Sequence, residues 1–216
     1  MLLCYVTDRT QLAAEEATRR KLLLARIGEA ARAGVDYIQL RERDLITREL
    51  EALAAEAVCV VRAASGDTRI LINSRSDVAL AAGADGVHLR ADDISIDDAR
   101  AIFAKAGRQR AVVGVSCHVP AEVTTAAALG ADLVVFGPVF EKLGTGAGAA
   151  VGVEGLRAAA VAGTLTGLAT PVFAIGGVTL ENAQDCLHAG AAGLAAIRLF
   201  QQGDLQETVR KLRALA

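Results

Sequence analysis

One phrase recurs four times in this chain of 216 residues, and it constrains the fold more than any other feature. The copies read AGVDYIQL at 33–40, AGADGVHL at 82–89, LGADLVVF at 129–136 and AGAAGLAA at 189–196. In each copy a glycine suited to end a helix is followed by a short link and by an apolar run typical of a buried strand. A helix followed by a strand is therefore the repeating unit.

Further strand-like segments lie before and between the copies. They are LLCYVTD at the start of the chain, RILIN at 69–73, AVVGVSC at 111–117 and PVFAIGG at 171–177, which makes eight expected strands. Helix-favouring segments separate the strands at 20–33, 47–64, 76–82, 95–106 and 121–129. Strands that alternate with helices form a parallel sheet, and a regular internal repeat favours closure of that sheet. We predict an α/β fold, a (β/α)8 TIM barrel that forms a single domain over residues 1–216.

The structural alternative is an open, doubly wound sheet. Its dinucleotide fingerprint, G-x-G-x-x-G after the first strand, is absent from YVTDRTQL, and the barrel is therefore favoured. In a barrel all strands end at one mouth, where ligands bind, and successive side chains alternate between the interior and the helices. Polar residues at the strand ends are thus the candidate site.

Composition narrows the classes of function. Lys and Arg total 23 against 25 for Asp and Glu, so there is no excess of positive charge to hold nucleic acid. The uncharged runs are shorter than the ~18 apolar residues of a membrane span, and Met1 is followed by LLCYVTD instead of a signal peptide. We expect a cytoplasmic protein without nucleic-acid or membrane partners, whose four scattered cysteines are buried thiols. The sequence leaves open whether the chain forms a homo-oligomer.

A diglycine follows the seventh strand. Gly176 and Gly177 come directly after Pro171 to Ile175, and Thr179 is expected to be the N-cap of the next helix. Glycines let the backbone turn its N–H groups toward a ligand, and a helix N-terminus carries about half a positive charge. In TIM barrels the loops after strands seven and eight commonly bind phosphate. The segment predicts a phosphate site, with an ordinary strand-to-helix turn as the alternative.

Strand two ends on two arginines. Gln39, Arg41 and Arg43 share one parity, so all three are expected to converge on the mouth. Two guanidiniums where ligands bind suggest an anionic, phosphorylated small-molecule substrate. The alternative is a belt of salt bridges in which Glu42 and Asp44 neutralise the arginines.

Strands three to five also end on polar residues. Asn73 and Asp93 are expected to reach the mouth, with a solvated turn or a helix cap as the alternative for Asp93. Ser116 and His118 share a parity that points into the cavity. An imidazole can accept and donate a proton near neutral pH, which makes His118 a candidate catalytic residue, with a structural hydrogen bond as the alternative. His88 lies deeper and is expected to be a hydrogen-bonded core residue.

The chain has one compositional break, EKLGTGAGAAVG at 141–152, which carries four glycines and the candidate phosphate ligand Lys142. A loop of this length inside a compact domain is usually functional, which makes closure over a ligand a hypothesis for this segment.

Taken together, the motifs resemble the family of thiamine-phosphate synthase and its TenI relatives. The likeness rests on QLRER at 39–43, INSRSD at 72–77, HLRADD at 88–93, GVSCH at 114–118, FGPVF at 136–140, AIGG at 174–177 and the AGAAGLAAI that follows. Their order and spacing agree over essentially the whole chain. The resemblance implies a (β/α)8 barrel that acts in thiamine biosynthesis.

The synthase branch implies a coupling reaction. It joins a hydroxymethylpyrimidine diphosphate to a thiazole phosphate and releases pyrophosphate with the help of Mg²⁺. By resemblance, the pyrimidine diphosphate would be held by Gln39, Arg41, Arg43, Asn73 and Ser116. The thiazole phosphate would be held by Gly176, Gly177 and the strand-eight end at Ile197 and Arg198.

The chain departs from the synthase pattern at several of these positions. Ser74 stands where the synthase has an Asp that binds Mg²⁺, which leaves Asp93 as the one metal carboxylate. The threonines and lysine of the synthase loop after FGP are displaced, with Lys142 the nearest cation. Arg43 replaces a usual lysine, and Arg198 replaces a usual serine. Mg²⁺ is therefore expected only if the synthase reaction is run.

The TenI branch resembles the chain more closely at these points. Its members lack the second carboxylate, and one kind isomerises a thiazole carboxylate phosphate to its aromatic tautomer with a histidine at the position of His118. The sequence therefore favours a thiazole tautomerase, with the synthase as the alternative because Asp93 is a synthase trait. A barrel that binds a phosphate ligand without chemistry, in a regulatory role, is the alternative from a different class.

Overall fold

The computed structural model describes residues 1–141, 150–165, 167 and 169–215. Its eight parallel strands form a closed barrel in chain order, in which the first strand pairs with both the second and the eighth. The strands are β1 (Leu2–Val6), β2 (Tyr37–Leu40), β3 (Arg69–Asn73), β4 (Gly86–Leu89), β5 (Val112–Cys117), β6 (Leu133–Phe136), β7 (Val172–Ile175) and β8 (Gly193–Ala196). The predicted (β/α)8 TIM barrel is confirmed.

Helices cover the outside of the barrel. They are α1 (Glu16–Arg32), α2 (Thr47–Ala64), α3 (Ser76–Ala81), α4 (Ile96–Lys105), α5 (Pro120–Ala128), α6 (Gly152–Ala162), α7 (Ala183–His188), α8 (Arg198–Gln201) and α9 (Leu205–Arg213). A short 3-10 helix, Arg9–Gln11, follows β1. Across the described part of the chain, no helix combines the length and the apolar character needed to cross a membrane.

The recurring phrase has a definite structural meaning. In every copy its last four residues are a strand, β2, β4, β6 or β8. The glycine near its start has a positive φ that ends the preceding helix, as seen at Gly34, Gly83, Gly130 and Gly190. In the first three copies an aspartate oxygen accepts the backbone N–H of a residue on the preceding strand, Leu3 by Asp36, Ile70 by Asp85 and Val113 by Asp132. Each unit therefore stops a helix, and the first three units also tie two strands together at the end of the barrel opposite the mouth.

The apolar side chains form two layers. The larger layer lies between strands and helices and includes Ile38 and Leu40 of β2. The smaller layer fills the barrel interior with Cys4, Val6, Leu71, Leu133, Val135, Phe173 and Ala195. Gln39, between Ile38 and Leu40, is buried as well but belongs to neither apolar layer. The alternation predicted for β2 is thus confirmed, and it leaves polar side chains above the inner core.

Two local predictions are wrong. Thr179 does not cap a helix, because the side-chain oxygen of Asn182 accepts the Thr179 N–H at 2.8 Å and α7 begins only at Ala183. Cys59 is exposed on α2, whereas the other three cysteines are buried as expected, namely Cys4, Cys117 and Cys186. The thiol of Cys59 lies on the face of α2 that does not pack on the barrel.

Candidate active site

The ends of β2 and β3 carry a chain of polar side chains. Gln39 Nε2 donates to Asn73 Oδ1 at 2.9 Å, and Asn73 Nδ2 donates to Ser74 Oγ at 2.9 Å. Ser74 has a φ of 63°, a left-handed conformation that is uncommon outside glycine, and its N–H donates to the His88 carbonyl at 2.8 Å. Two of the predicted substrate-binding residues, Gln39 and Asn73, are therefore held in fixed orientations.

Strands β4 and β5 contribute a hydrogen-bonded pair beneath the mouth, buried His88 and half-buried Ser116. His88 is 2% exposed, and its Nε2 lies 2.9 Å from Ser116 Oγ. Burial lowers the pKa of His88 to about 4. The negative charge of Asp93 acts in the opposite direction, and the positive charge of Arg41 lowers the pKa by a smaller amount. His88 is therefore neutral near pH 7 and fixes the hydroxyl of Ser116. The influence of Arg41 and Asp93 also shows that both side chains lie near this pair.

The two arginines that follow β2 make no ion pair within the described part of the chain. Burial lowers the pKa of Arg41, and the charge of Arg43 nearby lowers it further. Glu42 and Asp44 pair instead with Arg9, at 3.2 and 2.6 Å. The salt-bridge belt considered for Arg41 and Arg43 is therefore wrong for the described residues, because both carboxylates form their ion pairs with Arg9.

Asp93 closes the turn after β4. Its Oδ2 accepts the N–H of Arg90 at 2.7 Å, and the Arg90 guanidinium pairs with Asp92. The cap of α4 is Ser95, which accepts the Asp98 N–H at 3.1 Å, so Asp93 is not the helix cap.

A metal ion would find few protein ligands here. Over residues 1–141, 150–165, 167 and 169–215, no group of three or more His, Cys, Asp or Glu side chains is arranged to hold one. Mg²⁺ is commonly held by one or two carboxylates together with substrate phosphates and water. With Ser74 neutral, Asp93 is the remaining carboxylate of the predicted pair. These residues fit a Mg²⁺ that arrives with a phosphorylated substrate better than one held by protein alone.

His118 lies just past β5 and is exposed. Its Nδ1 is 2.6 Å from the carbonyl oxygen of Gly137, at the end of β6. A carbonyl can only accept a hydrogen bond, so Nδ1 carries the proton and the neutral ring has a lone pair on Nε2. The backbone N–H of His118 donates to Glu122 Oε2 at 2.6 Å, which fixes the residue at the start of α5. The ring is thus held as a hydrogen-bond acceptor.

The diglycine packs tightly against the segment after β6. Gly176 and Gly177 have φ values of 94° and 66°, which favour glycine. A Cβ on Gly176 would lie 2.6 Å from Pro138 Cα, and one on Gly177 would lie 2.7 Å from Phe140 Cβ. The Gly176 carbonyl accepts the Phe140 N–H at 3.0 Å, and the Gly177 carbonyl accepts from Asn182 Nδ2 at 2.9 Å. The carbonyls of both glycines thus accept hydrogen bonds, whereas their N–H groups have no acceptor among the described residues.

The end of β8 lies beside the diglycine, because Ile175 of β7 pairs with Ala195 of β8. Ile197 precedes α8, and its carbonyl accepts the N–H of Phe200 at 3.1 Å. The N–H of Arg198, in the first turn of α8, has no acceptor among the described residues. The Arg198 side chain is exposed. N–H groups that have no acceptor among the described residues thus follow the neighbouring strands β7 and β8, an arrangement that suits a phosphate.

One predicted site residue lies outside the described residues. Lys142 belongs to the stretch 142–149 of the predicted loop. Two residues that contact the segments around the site were not predicted. Arg9 pairs with Glu42 and Asp44, and Asn182 donates to the Gly177 carbonyl. The polar run TDRT after β1 lies at the same barrel end as the other site residues and is the signal that could have found Arg9.

The chain is similar to known proteins over almost its whole length. The family model described as thiamine monophosphate synthase matches residues 3–200. A protein of Geobacter sulfurreducens that is provisionally named a thiamine-phosphate synthase is 40% identical over 212 residues, which are 97% of this chain and 92% of that protein. The thiamine-phosphate synthase of Methanoculleus marisnigri is 39% identical over 196 residues, 88% of this chain and 85% of the relative.

A solved structure agrees with these relatives. The thiamine phosphate pyrophosphorylase of Pyrococcus furiosus superposes with a TM-score of 0.79 and 29% sequence identity. The match covers 99% of this chain and 94% of that protein. The likeness therefore includes all eight strands and the mouth that they form.

Proposed function

The chain belongs to the thiamine-phosphate synthase family, and we propose that it is the coupling enzyme of that family. Its reaction joins a hydroxymethylpyrimidine diphosphate to a thiazole phosphate and releases pyrophosphate. Support comes from relatives of that name that align with nearly the full chain. The observation that carries the proposal is the pair of arginines at the mouth, Arg41 and Arg43, whose neighbours along the chain, Glu42 and Asp44, form ion pairs with Arg9 instead.

Unpaired guanidiniums matter because the reaction develops negative charge. The C–O bond between the pyrimidine methylene and the diphosphate breaks, and the leaving pyrophosphate takes the electron pair. A C–N bond to the thiazole nitrogen forms in its place. Cations fixed around the leaving group stabilise that charge in the transition state. A salt-bridged arginine would first have to give up its protein carboxylate, whereas Arg41 and Arg43 pair with no carboxylate of the described residues.

The remaining side chains divide between the two substrates. Gln39 and Asn73 offer oriented amide groups to the pyrimidine ring, next to the Ser116 hydroxyl that His88 fixes. The thiazole phosphate lies against the backbone N–H groups of Gly177 and Arg198. Mg²⁺, when bound, neutralises further charge on the pyrophosphate, with Asp93 as its carboxylate ligand.

A thiazole tautomerase is the second candidate, because of one specific observation. The bond from His118 Nδ1 to Gly137 leaves Nε2 as a proton acceptor. An imidazole in this state can take a proton from a ring carbon and return it to a neighbouring atom. Isomerisation needs neither a second substrate nor Mg²⁺, so Ser74 would not impair it.

The test offers the purified protein both sets of substrates, with Mg²⁺ and with a chelator. Pyrophosphate release and thiazole isomerisation are followed in parallel. We expect Mg²⁺-dependent pyrophosphate release that falls about a hundredfold in Arg41→Gln, since a charge-assisted contact contributes about 1.5–3 kcal/mol. Arg213→Gln is the matched control, because Arg213 pairs with Asp36 at the opposite end of the barrel.

The other outcomes discriminate between the alternatives. Isomerisation that survives the chelator and is lost in His118→Asn would establish the tautomerase instead. Binding of the thiazole phosphate without either reaction would establish a barrel that has kept its ligand site and lost its chemistry.

A further inference from the structure

A buried arginine organises the acidic side chains next to the mouth. Arg9 is 2% exposed and lies in the 3-10 helix after β1. Its Nε donates to Glu16 at 2.8 Å, its Nη1 to Glu42 at 3.2 Å, and its two Nη groups to Asp44 at 2.6 and 3.0 Å. Burial would lower the pKa of Arg9, but its hydrogen bonds to Asp44, Glu16 and Glu42 outweigh burial and raise it. Arg9 is therefore a permanent cation shared by three carboxylates.

These contacts extend to the backbone of Arg41, one of the two arginines that are proposed to bind the substrate. Glu42 is 3% exposed and accepts the Thr7 hydroxyl at 2.6 Å and the Arg9 N–H at 3.0 Å. Burial raises the pKa of Glu42, although these hydrogen bonds act in the opposite direction. The Thr7 hydroxyl oxygen in turn accepts the N–H of Arg41 at 2.9 Å. The end of β1 thus fixes the position of the chain after β2.

The order of charges after β2 explains why Glu42 and Asp44 need a cation other than Arg41 and Arg43. Residues 41–44 read R-E-R-D, so cations and anions alternate in the short segment that leads from the end of β2 into a turn at 43–44. The side chains of Glu42 and Asp44 both lie against Arg9, whereas Arg41 and Arg43 make no ion pair within the described residues. A buried carboxylate without a partner is costly, and it pairs with whichever cation it can reach. Arg9 provides that cation on the side away from the mouth.

We propose that Arg9 is a positioning residue that holds Glu42 and Asp44 away from Arg41 and Arg43, so that both guanidiniums remain available to phosphate. The inference rests on the proposed function in taking the phosphate to be the diphosphate of the substrate. Arg9 itself touches no substrate in this role. Its effect is transmitted through the carboxylates, which would otherwise compete with the ligand for the same two cations.

Binding of inorganic pyrophosphate, measured by titration calorimetry on the full chain, tests the proposal without requiring turnover. We expect Arg9→Met to weaken pyrophosphate binding about tenfold, because freed carboxylates then pair with the substrate arginines. The triple variant Arg9→Met, Glu42→Gln, Asp44→Asn removes the competing charges along with Arg9. It should recover pyrophosphate affinity to within about twofold of the parent, although its stability stays reduced.

A matched control separates positioning from general destabilisation. Arg62 pairs with buried Asp85 at the opposite end of the barrel, and Arg62→Met should reduce stability without changing pyrophosphate affinity. If Arg9→Met does not fold, Arg9→Lys, measured with and without Asp44→Asn, gives the same comparison. Lysine keeps the charge but lacks the fork that reaches all three carboxylates.

The outcomes are distinct. Affinity that falls in Arg9→Met and recovers in the triple variant supports the proposal. Equal affinity in the parent and Arg9→Met, or a loss that the triple variant does not reverse, overturns it. A parent protein that binds no pyrophosphate overturns the proposed function itself, and the two failures are thereby distinguishable.

Discussion

The ends of β2, β3 and β4 carry long polar side chains, whereas glycines follow β6 and β7, and backbone N–H groups without an acceptor among the described residues follow β7 and β8. We call the first the side-chain half of the mouth, with Gln39, Arg41, Arg43 and Asn73. The second is the backbone half, with Gly137, Gly176, Gly177 and Ile197. In the proposed function, negative charge would be recognised by guanidiniums in one half and by peptide dipoles in the other.

This difference determines how each half responds to substitution. In the side-chain half a residue can be changed without moving the backbone, so ligand affinity should change and the fold should persist. In the backbone half the chain segments touch, and an added methyl group has no space. Function and stability are therefore separable in the side-chain half and inseparable in the backbone half.

The largest expected effect is that of Gly176→Ala. Gly176 has a φ of 94°, and a Cβ there would lie 2.6 Å from Pro138 Cα. We expect a loss of about 3 kcal/mol in the free energy of unfolding, from backbone strain and overpacking together. Gly34→Ala is the matched control, because Gly34 has a φ of 84° but nothing within 4 Å of an added Cβ.

Urea denaturation of the two variants isolates the clash. Gly34→Ala should cost only about 1 kcal/mol, which is the cost of the left-handed backbone alone. Equal losses in both variants would show that the close contact between β7 and the segment after β6 adds nothing, and the backbone half would then tolerate side chains.

A pH-dependent loss of stability is expected from the side-chain half. Burial lowers the pKa of His88 from 6.5 to about 4, so the unfolded chain binds more protons than the folded protein between these values. The contribution of neutral His88 to the free energy of unfolding is therefore complete above pH 6.5. It is lost as the pH falls toward 4, and the total loss is about 3 kcal/mol.

His88→Asn removes this titration. The free energy of unfolding, measured by urea denaturation from pH 7 to pH 4, should fall less steeply in the variant than in the parent. Parallel pH profiles would show that His88 is not the group responsible and that the buried pair with Ser116 does not titrate in this range.

Measuring the binding of two ligands to one variant compares the side-chain half and the backbone half of the mouth directly. Arg198→Ala should weaken binding of the thiazole phosphate about threefold to tenfold, since the backbone N–H groups of Gly177 and of position 198 itself would still hold the phosphate. The same substitution should leave pyrophosphate binding unchanged. Calorimetry with both ligands checks this, and a loss of pyrophosphate affinity in Arg198→Ala would mean that the two halves form one continuous anion site.

The sequence is sufficient to predict those features of the mouth that depend on local periodicity. The repeated phrase predicts β2, β4, β6 and β8, and the two-residue period of a strand separates Gln39 from its apolar neighbours. What was missed depends on contacts between distant residues. Arg9 is 33 and 35 residues from its partners Glu42 and Asp44, and no local pattern joins them.

The misplaced start of α7 has a different cause. Thr179 and Asn182 are both residues that cap helices well, and only three positions separate them. The turn before α7, in which Asn182 Nδ2 donates to the carbonyl of Gly177 five residues earlier, goes with the later start. Local propensity does not contain that contact, so the sequence alone did not distinguish the two starts.

The smallest expected effect concerns Ser74, a non-glycine residue in the side-chain half whose backbone is left-handed, with a φ of 63°. Its hydroxyl oxygen accepts from Asn73 at 2.9 Å, which in turn orients Gln39. Ser74→Gly and Ser74→Ala both remove the hydroxyl, but only glycine relieves the backbone. The glycine variant should therefore be more stable than the alanine variant by about 1 kcal/mol in urea denaturation. Both variants should raise the KM for the pyrimidine diphosphate by the same factor, about threefold, because that effect depends on the lost hydrogen bond. If the KM followed stability and differed between the two variants, backbone conformation would govern recognition in the side-chain half as well, and the distinction between the halves would fail there.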